Sequence, residues 1–417
     1  MLPTLFLSPV LPLSNGVGIE KRAAAHLDAL LRLGPVDLVL PMIKQQIDLS
    51  PVPPELRARC RRIDVIIVGN ATNLRIHRTP GLTILRRLAS YGRARRVVSE
   101  AAAARTLADK LRNGDHALVF CYRLSSFALL TTLVRLPLPR PKRLAVDFDD
   151  IESNVIERLL RQPDRKSGFE QDLLLKLERA ETLRTEQRAL DDADWVSVCS
   201  ELDARTLAAR GPKAALRVVP NSFPALPALP PRPWHPPARA LFLGTMTYHP
   251  NEDAALYFCQ EILPLVRREL DGGITLDIVG KAPSQRVCDL AEADRVTVVG
   301  GVPAVEPHYA AADFVVVPIR YGGGTRIKIL EALALGRPMV STTIGAEGLD
   351  LRDGTDILLA DTPADFARHC VALARDPDLR ARLAESGRAR FMALYEAGGV
   401  QSALADELNN LCCGTRA

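Results

Sequence analysis

Chemistry is densest between Val315 and Ser341, which reads Val-Val-Val-Pro-Ile-Arg-Tyr-Gly-Gly-Gly-Thr-Arg-Ile-Lys-Ile-Leu-Glu-Ala-Leu-Ala-Leu-Gly-Arg-Pro-Met-Val-Ser. An apolar, β-branched run passes into Gly322, Gly323 and Gly324. A helix is then expected to open around Thr325 and close at Gly336, with Pro338 leading into another strand. Glycines let a backbone approach a ligand closely, and the free amides and dipole at a helix start favour phosphate. Arg326 and Lys328 add cations to the first turn, where a helix by itself prefers acids. Such a breach of a local rule tends to mark a functional site. Glu331 is a carboxylate among Ile327, Ile329, Leu330, Ala332 and Leu333, suited to accept hydrogen bonds from a ribose diol. A capped helix with solvated charges is the simpler account, but loop, cation pair and carboxylate together favour a phosphate site.

Two more groups lie in the first half. Ser14-Asn-Gly-Val-Gly-Ile-Glu-Lys-Arg22 follows the first strand and starts a helix, so Gly16 and Gly18 either lie beneath a ligand's phosphates or simply make the turn. Asp147-Phe-Asp-Asp-Ile-Glu-Ser153 ends a buried strand, and three carboxylates at such an edge cannot all be core. An Asp-x-Asp triplet can hold a divalent metal with a nucleotide diphosphate. The alternative is capping of a helix from Ile151, with Asp150 as N-cap and Ser153 three residues on. In the second half His249 falls in a polar loop after Leu241–Leu243, either facing the ligand or as an ordinary exposed histidine. The other histidines are scattered and suggest no metal site.

These groups must be positioned by strands and helices, and both halves show one rhythm. Apolar runs at Leu5–Leu7, Val36–Leu40, Asp64–Val68, Ala117–Phe120, Leu144–Phe148 and Trp195–Val198 alternate with helical patterns, clearest at 19–33, 97–113 and 168–193. The second half repeats this with Ala240–Leu243, Thr275–Val279, Val296–Val299, Phe314–Pro318, Met339–Ser341 and Ile357–Leu359. Strands buried on both faces and spaced by helices imply doubly wound parallel sheets. Between the halves eight prolines fall within Pro220–Pro237, which reads as an extended linker. The expected organisation is α/β, with two Rossmann-like domains facing across a cleft: 1–220, a linker 221–238, and 239–417, with a C-terminal helix 397–412 packing back on the first.

Composition sets the outer limits. At 417 residues the chain exceeds what one core accommodates, and 47% hydrophobic with 25% charged residues excludes disordered and fibrous classes. Eight cysteines without a Cys-x-x-Cys pair offer neither a zinc pattern nor a disulfide framework. The first cation is Lys21, Pro3, Pro9 and Pro12 break any signal helix, and no apolar run reaches the roughly 18 residues of a membrane span, so a cytoplasmic location is expected. Charge is uneven: residues 1–220 carry 35 Lys and Arg against 25 acids, and residues 221–417 carry 19 against 24. The tract Arg75–Val98 is rich in arginine, has no acid, and places Leu82, Leu85, Leu88 and Tyr91 on one helical face. It suits peripheral contact with an anionic membrane at its inner face, a basic acceptor groove or a solvated loop; nucleic acid would want interleaved aromatics.

The segment Gly322–Leu349 resembles the donor-binding signature of retaining glycosyltransferases of family 4 and the wider group 1 glycosyl transferases, which have the two-domain GT-B fold. The resemblance extends to Asn15-Gly-Val-Gly18, Val218-Val-Pro-Asn221, Phe242-Leu-Gly-Thr-Met246 and Val296-Thr-Val-Val-Gly-Gly-Val302. It implies transfer of a sugar from a nucleotide diphosphate sugar, such as a UDP- or GDP-sugar, to an acceptor hydroxyl on a lipid-linked glycan or small molecule. It implies no cofactor and no metal. Glu331 matches the glutamate that binds the ribose, Gly300 and Val302 the backbone that meets the base, and Gly16 and Gly18 the turn beneath the donor phosphates. Gly244, Thr245 and His249 occupy the loop where relatives carry an Arg and a Lys, and Gly323 stands where a second glutamate contacts the transferred sugar. The charge on the diphosphate then falls to Arg326 and Lys328, as in a subgroup with Gly-Gly-Thr-Arg-Ile-Lys. Asp149 and Asp150 fall where many relatives carry a His near the acceptor; with Arg326 and Lys328 they are the catalytic candidates. Two rivals stay open, a two-domain nucleotide-sugar epimerase and a nucleotide-sugar-binding protein without turnover.

Overall fold

A computed structural model describes residues 1–42, 52–67, 101–133, 141–161, 168–232, 235–270, 273–322 and 327–414. The chain divides into two compact units, Met1–Val219 with the chain from Gln401 onward, and Pro220–Val400.

The first unit is built on seven parallel strands: β1 (Thr4–Leu7), β2 (Val36–Met42), β3 (Arg62–Ile67), β4 (Leu118–Tyr122), β5 (Leu144–Asp147), β6 (Trp195–Val198) and β7 (Ala215–Val218). Their order is β3-β2-β1-β4-β5-β6-β7. Strands β1, β4, β5 and β6 are buried at every position, as continuous apolar runs require when helices cover both faces. Strand β7 did not stand out in the sequence because Ala-Leu-Arg-Val is short, interrupted by Arg217 and half-exposed at the sheet edge. The helices expected at 19–33 and 168–193 are Gly18–Leu33 and Phe169–Asp192. The third is described over Ala101–Asn113.

Gln401 donates to Asp28 (3.1 Å), Trp195 Nε1 to Glu407 (3.3 Å) and Arg143 Nε to the Leu411 carbonyl (2.8 Å), which fastens the end of the helix Ala397–Cys413 to the first unit.

The second unit has six parallel strands: β8 (Ala238–Leu243), β9 (Ile274–Val279), β10 (Val296–Gly300), β11 (Phe314–Val317), β12 (Met339–Ser341) and β13 (Leu358–Leu359). Their order, β10-β9-β8-β11-β12-β13, repeats the winding of the first sheet. One apolar core joins β8, β9, β11 and β12 to helices on both faces, with Phe242, Phe258, Phe314, Phe366 and Phe391 essentially inaccessible. The proline-rich segment lies along this unit: Leu229 N–H donates to the Leu335 carbonyl (3.0 Å), Arg388 to Leu226 (2.8 Å) and Arg337 to Pro230 (3.0 Å). In both sheets the winding reverses once, between β1 and β4 and between β8 and β11, and open α/β sheets bind ligands at the carboxyl edge there.

Candidate functional site

In the second unit the loops after β8 and β11 flank the reversal. The ends of β8, β9 and β10 are stitched together by Gly244 N–H to Val279 O (3.0 Å), Met246 N–H to Lys281 O (3.0 Å) and Gly280 N–H to Gly300 O (2.8 Å). A Cβ on Gly280 would fall 1.7 Å from the Gly244 carbonyl oxygen, so the two loops can approach only through glycine. Gly300 ends β10 at φ +79°, half-buried, and Val302 packs against the core two residues on.

Past β11, Gly322 turns at φ +109°, and the following helix is described over Ile327–Ala334. Gly323, Gly324, Thr325 and Arg326 lie outside the described residues, as does the tract Arg75–Val98. Lys328, in the first turn and half-buried, donates from Nζ to Asn251 Oδ1 (2.8 Å) and stands 4.7 Å from the centre of the Phe242 ring. Asn251 in turn donates from Nδ2 to the Thr245 carbonyl (2.9 Å). Glu331, one turn along, accepts from the Tyr309 hydroxyl (2.9 Å). Tyr309 is fully buried; burial, then the neighbouring Glu331 charge, pushes its phenol well above the ordinary value, so the hydroxyl keeps its proton as a donor.

His249 was expected in a polar loop but is the first residue of the helix His249–Tyr257, because Pro250 has the fixed φ that suits a first turn. The exposed His249 ring meets the Tyr321 hydroxyl through Nδ1, joining the same two loops.

In the first unit Tyr122 on β4 and Asp147 on β5 are register partners. The helix Gly18–Leu33 lays Arg22 and His26, one turn apart, over them. Arg22 donates in bidentate fashion to Asp147 (2.9 and 2.7 Å) and to the Val219 carbonyl (2.9 Å), and its Nε stands 3.5 Å from Asp149. Ser197 on β6 also donates to Asp147 (2.5 Å), while His26 Nε2 lies 3.1 Å away without hydrogen-bond alignment. Burial alone would raise the Asp147 carboxyl, yet Arg22 and His26 hold it well below the usual carboxylate range. Its charge is committed to these partners inside the core.

Asp149 lies two residues past β5 at φ +60°, and Arg123, one past β4, at φ +65°. Both are left-handed without being glycine, a cost that persists only where surroundings enforce it. Their side chains approach to 3.8 Å, and Arg123 also stands 3.6 Å from Glu152. Burial pushes the Asp149 carboxyl up to about 6 against the pull of Arg22, with the Asp150 charge adding to the rise. The Tyr122 hydroxyl faces two acceptors, the Ile19 carbonyl at 2.8 Å and Asp149 Oδ2 at 3.4 Å.

The alternative, capping by Asp150, does not occur. The bend at Asp149 turns the Asp150 N–H back to the Phe148 carbonyl (2.7 Å), so Ile151 becomes the N-cap of the helix Glu152–Leu160, without a side-chain bond. Glu186 from the long helix supplies the missing acceptor, taking the Ser153 amide (2.9 Å) and hydroxyl (2.7 Å). Gly16 turns tightly because Glu20 folds back to accept the Val17 amide (2.8 Å); a Cβ there would lie 2.2 Å from that carboxylate. Gly18 opens the helix, exposed.

Sequence reasoning missed Arg22 and His26 as a pair, although a cation and a histidine one turn apart beside Ala23, Leu27 and Leu30 were a usable signal. It also missed Tyr122, Arg123, Asn251 and Tyr309, whose roles depend on partners distant in the chain.

Comparison with known proteins bears on the fold and the class. Residues 237–376 match the family model "Glycosyl transferases group 1". An uncharacterized 44.6 kDa protein in the cps region of Klebsiella pneumoniae is 24% identical over 140 residues, 31% of this chain and 36% of that protein, so the match spans about a third of the relative's length. Sucrose-phosphate synthase from Thermosynechococcus elongatus superposes with a TM-score of 0.67 at 17% identity, covering 99% of each chain. HepE from Anabaena, solved with UDP and glucose, gives 0.62 at 14% identity over 98% of this chain and 100% of its own. The fold is GT-B, and the stretch that matches the group 1 glycosyl transferases lies within the second unit; together they support a transferase. Among the described residues no helix is long and apolar enough to cross a membrane.

Proposed function

We propose that the protein transfers a glycosyl group from a nucleotide diphosphate sugar to an acceptor hydroxyl, with retention at the anomeric carbon. The observation that carries this is the helix Ile327–Ala334, whose first turn holds Lys328 by Asn251 and whose second holds Glu331 by Tyr309. As the bond from the anomeric carbon to the diphosphate oxygen breaks, negative charge grows on the leaving diphosphate. The Lys328 ammonium and the amides of that helix start stabilise it without a metal ion. Glu331 accepts from the ribose hydroxyls. Asp149 and Asp150 orient the acceptor hydroxyl, whose oxygen forms the new glycosidic bond while its proton passes to the departing diphosphate oxygen.

The UDP in the HepE structure makes UDP-sugars the first donors to try, with GDP-sugars next. The acceptor is a lipid-linked glycan or a small molecule in polysaccharide synthesis. The basic tract Arg75–Val98 suits a peripheral site on an anionic membrane, which sedimentation with anionic and neutral vesicles across a salt series would test; binding indifferent to lipid charge would remove it.

Incubation with sugar nucleotides decides the reaction class. Nucleoside diphosphate released only with acceptor present supports the transferase, and activity surviving a chelator supports metal independence. A second reading is favoured by Asp149: burial raises its carboxyl to about 6, toward the range an acid/base group of an epimerase needs. An altered sugar without acceptor would establish that reading instead.

A further inference from the structure

We infer that Asn251 is a positioning residue for Lys328, aiming its ammonium at the diphosphate of the donor. The inference rests on the donor-site reading above and adds the residue that makes it work. Asn251 is 7% exposed in the first turn of the helix His249–Tyr257. Its two amide ends face different partners: Nδ2 donates to the Thr245 carbonyl at 2.9 Å and Oδ1 accepts from Lys328 Nζ at 2.8 Å. A carbonyl can only accept and an ammonium can only donate, so the amide has one workable orientation.

The backbone makes room for this arrangement. A Cβ on Gly244 would stand 2.6 Å from Asn251 Cγ, so glycine there lets the amide seat. The tie joins the loop after β8 to the helix after β11, the two elements on either side of the sheet's reversal, across 77 residues of sequence. A flexible lysine held before the ligand arrives loses less freedom on binding. An amide oxygen and the Phe242 ring both orient the ammonium without adding a negative charge beside the place a phosphate would occupy.

The test is a double-mutant cycle read by calorimetry with UDP and GDP, each against its nucleoside, on wild type, Asn251→Ala, Lys328→Met and the double variant. Lys328→Met should weaken diphosphate binding about tenfold or more with nucleoside affinity nearly unchanged. Asn251→Ala should cost several-fold on the wild-type background and nothing further on the Lys328→Met background. Asn251→Asp, which loses the donor to Thr245 and adds an anion beside Lys328, should cost more than Asn251→Ala, and it carries the cycle if the alanine variant does not fold. An equal loss from Asn251→Ala with and without Lys328, or an equal loss for nucleoside and diphosphate, would reduce Asn251 to a loop support and overturn the inference. If Lys328→Met binds diphosphate as wild type does, or wild type binds neither nucleotide, the donor-site reading itself fails.

Discussion

The two units solve the same geometric problem with different residues. Past the strand that follows the reversal, β11 in the second unit and β4 in the first, the second unit turns left-handed at a glycine, Gly322, whereas the first turns left-handed at Arg123 and, past the next strand, at Asp149. Glycine allows the turn at little cost and exposes bare backbone, as the proposed contacts of amides with phosphate and base would require. A left-handed arginine facing a left-handed aspartate costs energy and supplies side chains instead. The polar partners differ in the same sense. The first unit sets charge against charge, Arg22 with Asp147 and Arg123 with Asp149, whereas the second holds Lys328 and Glu331 by an amide, a ring and a phenol.

The contrast can be broken most severely at its buried ion pair. Arg22→Ala leaves Asp147 charged in the core, and removing one partner of such a pair costs about 3–5 kcal/mol. Denaturant unfolding should show that loss, and a change below about 1 kcal/mol would mean the charges are not committed to one another.

Next in size is the pH response of Asp149. Its folded carboxyl titrates at about 6, above the 3.8 of an ordinary aspartate, so stability from this group is complete below pH 4 and falls as pH rises to 6. The full span is on the order of 3 kcal/mol at about 1.4 kcal/mol per pH unit. Asp149→Asn should flatten the curve over that window, and an unchanged slope would assign the titration elsewhere. Asp147 acts with opposite sign and in a lower window, since its depressed carboxyl withdraws stability only as pH falls below its ordinary range.

The second unit predicts losses of binding rather than of fold. Glu331→Gln should weaken nucleotide affinity by about 1.5–3 kcal/mol with little change in melting temperature, because Tyr309 can still donate to the amide oxygen. Unchanged affinity by calorimetry would leave Glu331 a helix residue. The smallest effect belongs to Tyr309→Phe, which removes the hydroxyl holding Glu331 and should cost about 1 kcal/mol of nucleotide affinity. A larger loss of stability than of binding would make Tyr309 a core residue only.

What was legible in the chain follows from how local each signal is. Fully buried strands such as β4 and β11 announce themselves as apolar runs, and the glycine loop before Ile327 as a cluster. Edge strand β7 did not, because its burial is partial and its one polar residue breaks the pattern. Within the sites, Lys328, Glu331 and Asp149 stood out by type and position. The residues that orient them did not: Asp147 meets Arg22 across 125 residues and Lys328 meets Asn251 across 77, so each pairing exists only once a sheet has brought two strand ends together. The cap at Asp150 failed for a related reason, since the left-handed bend at Asp149 is imposed by neighbours and leaves no trace in the local sequence.

The last turns of the helix Ala397–Cys413 belong to the first unit, although the whole of Pro220–Val400 is synthesised before them. At about 5–20 residues per second a ribosome needs on the order of ten to forty seconds to make those intervening residues. Throughout that interval the nascent first unit lacks the partners of Arg143, Trp195 and Asp28, and their faces stand open to chaperones. Synthesis of the helix beyond Val400, and not of the first unit's own contiguous sequence, is the event that closes it.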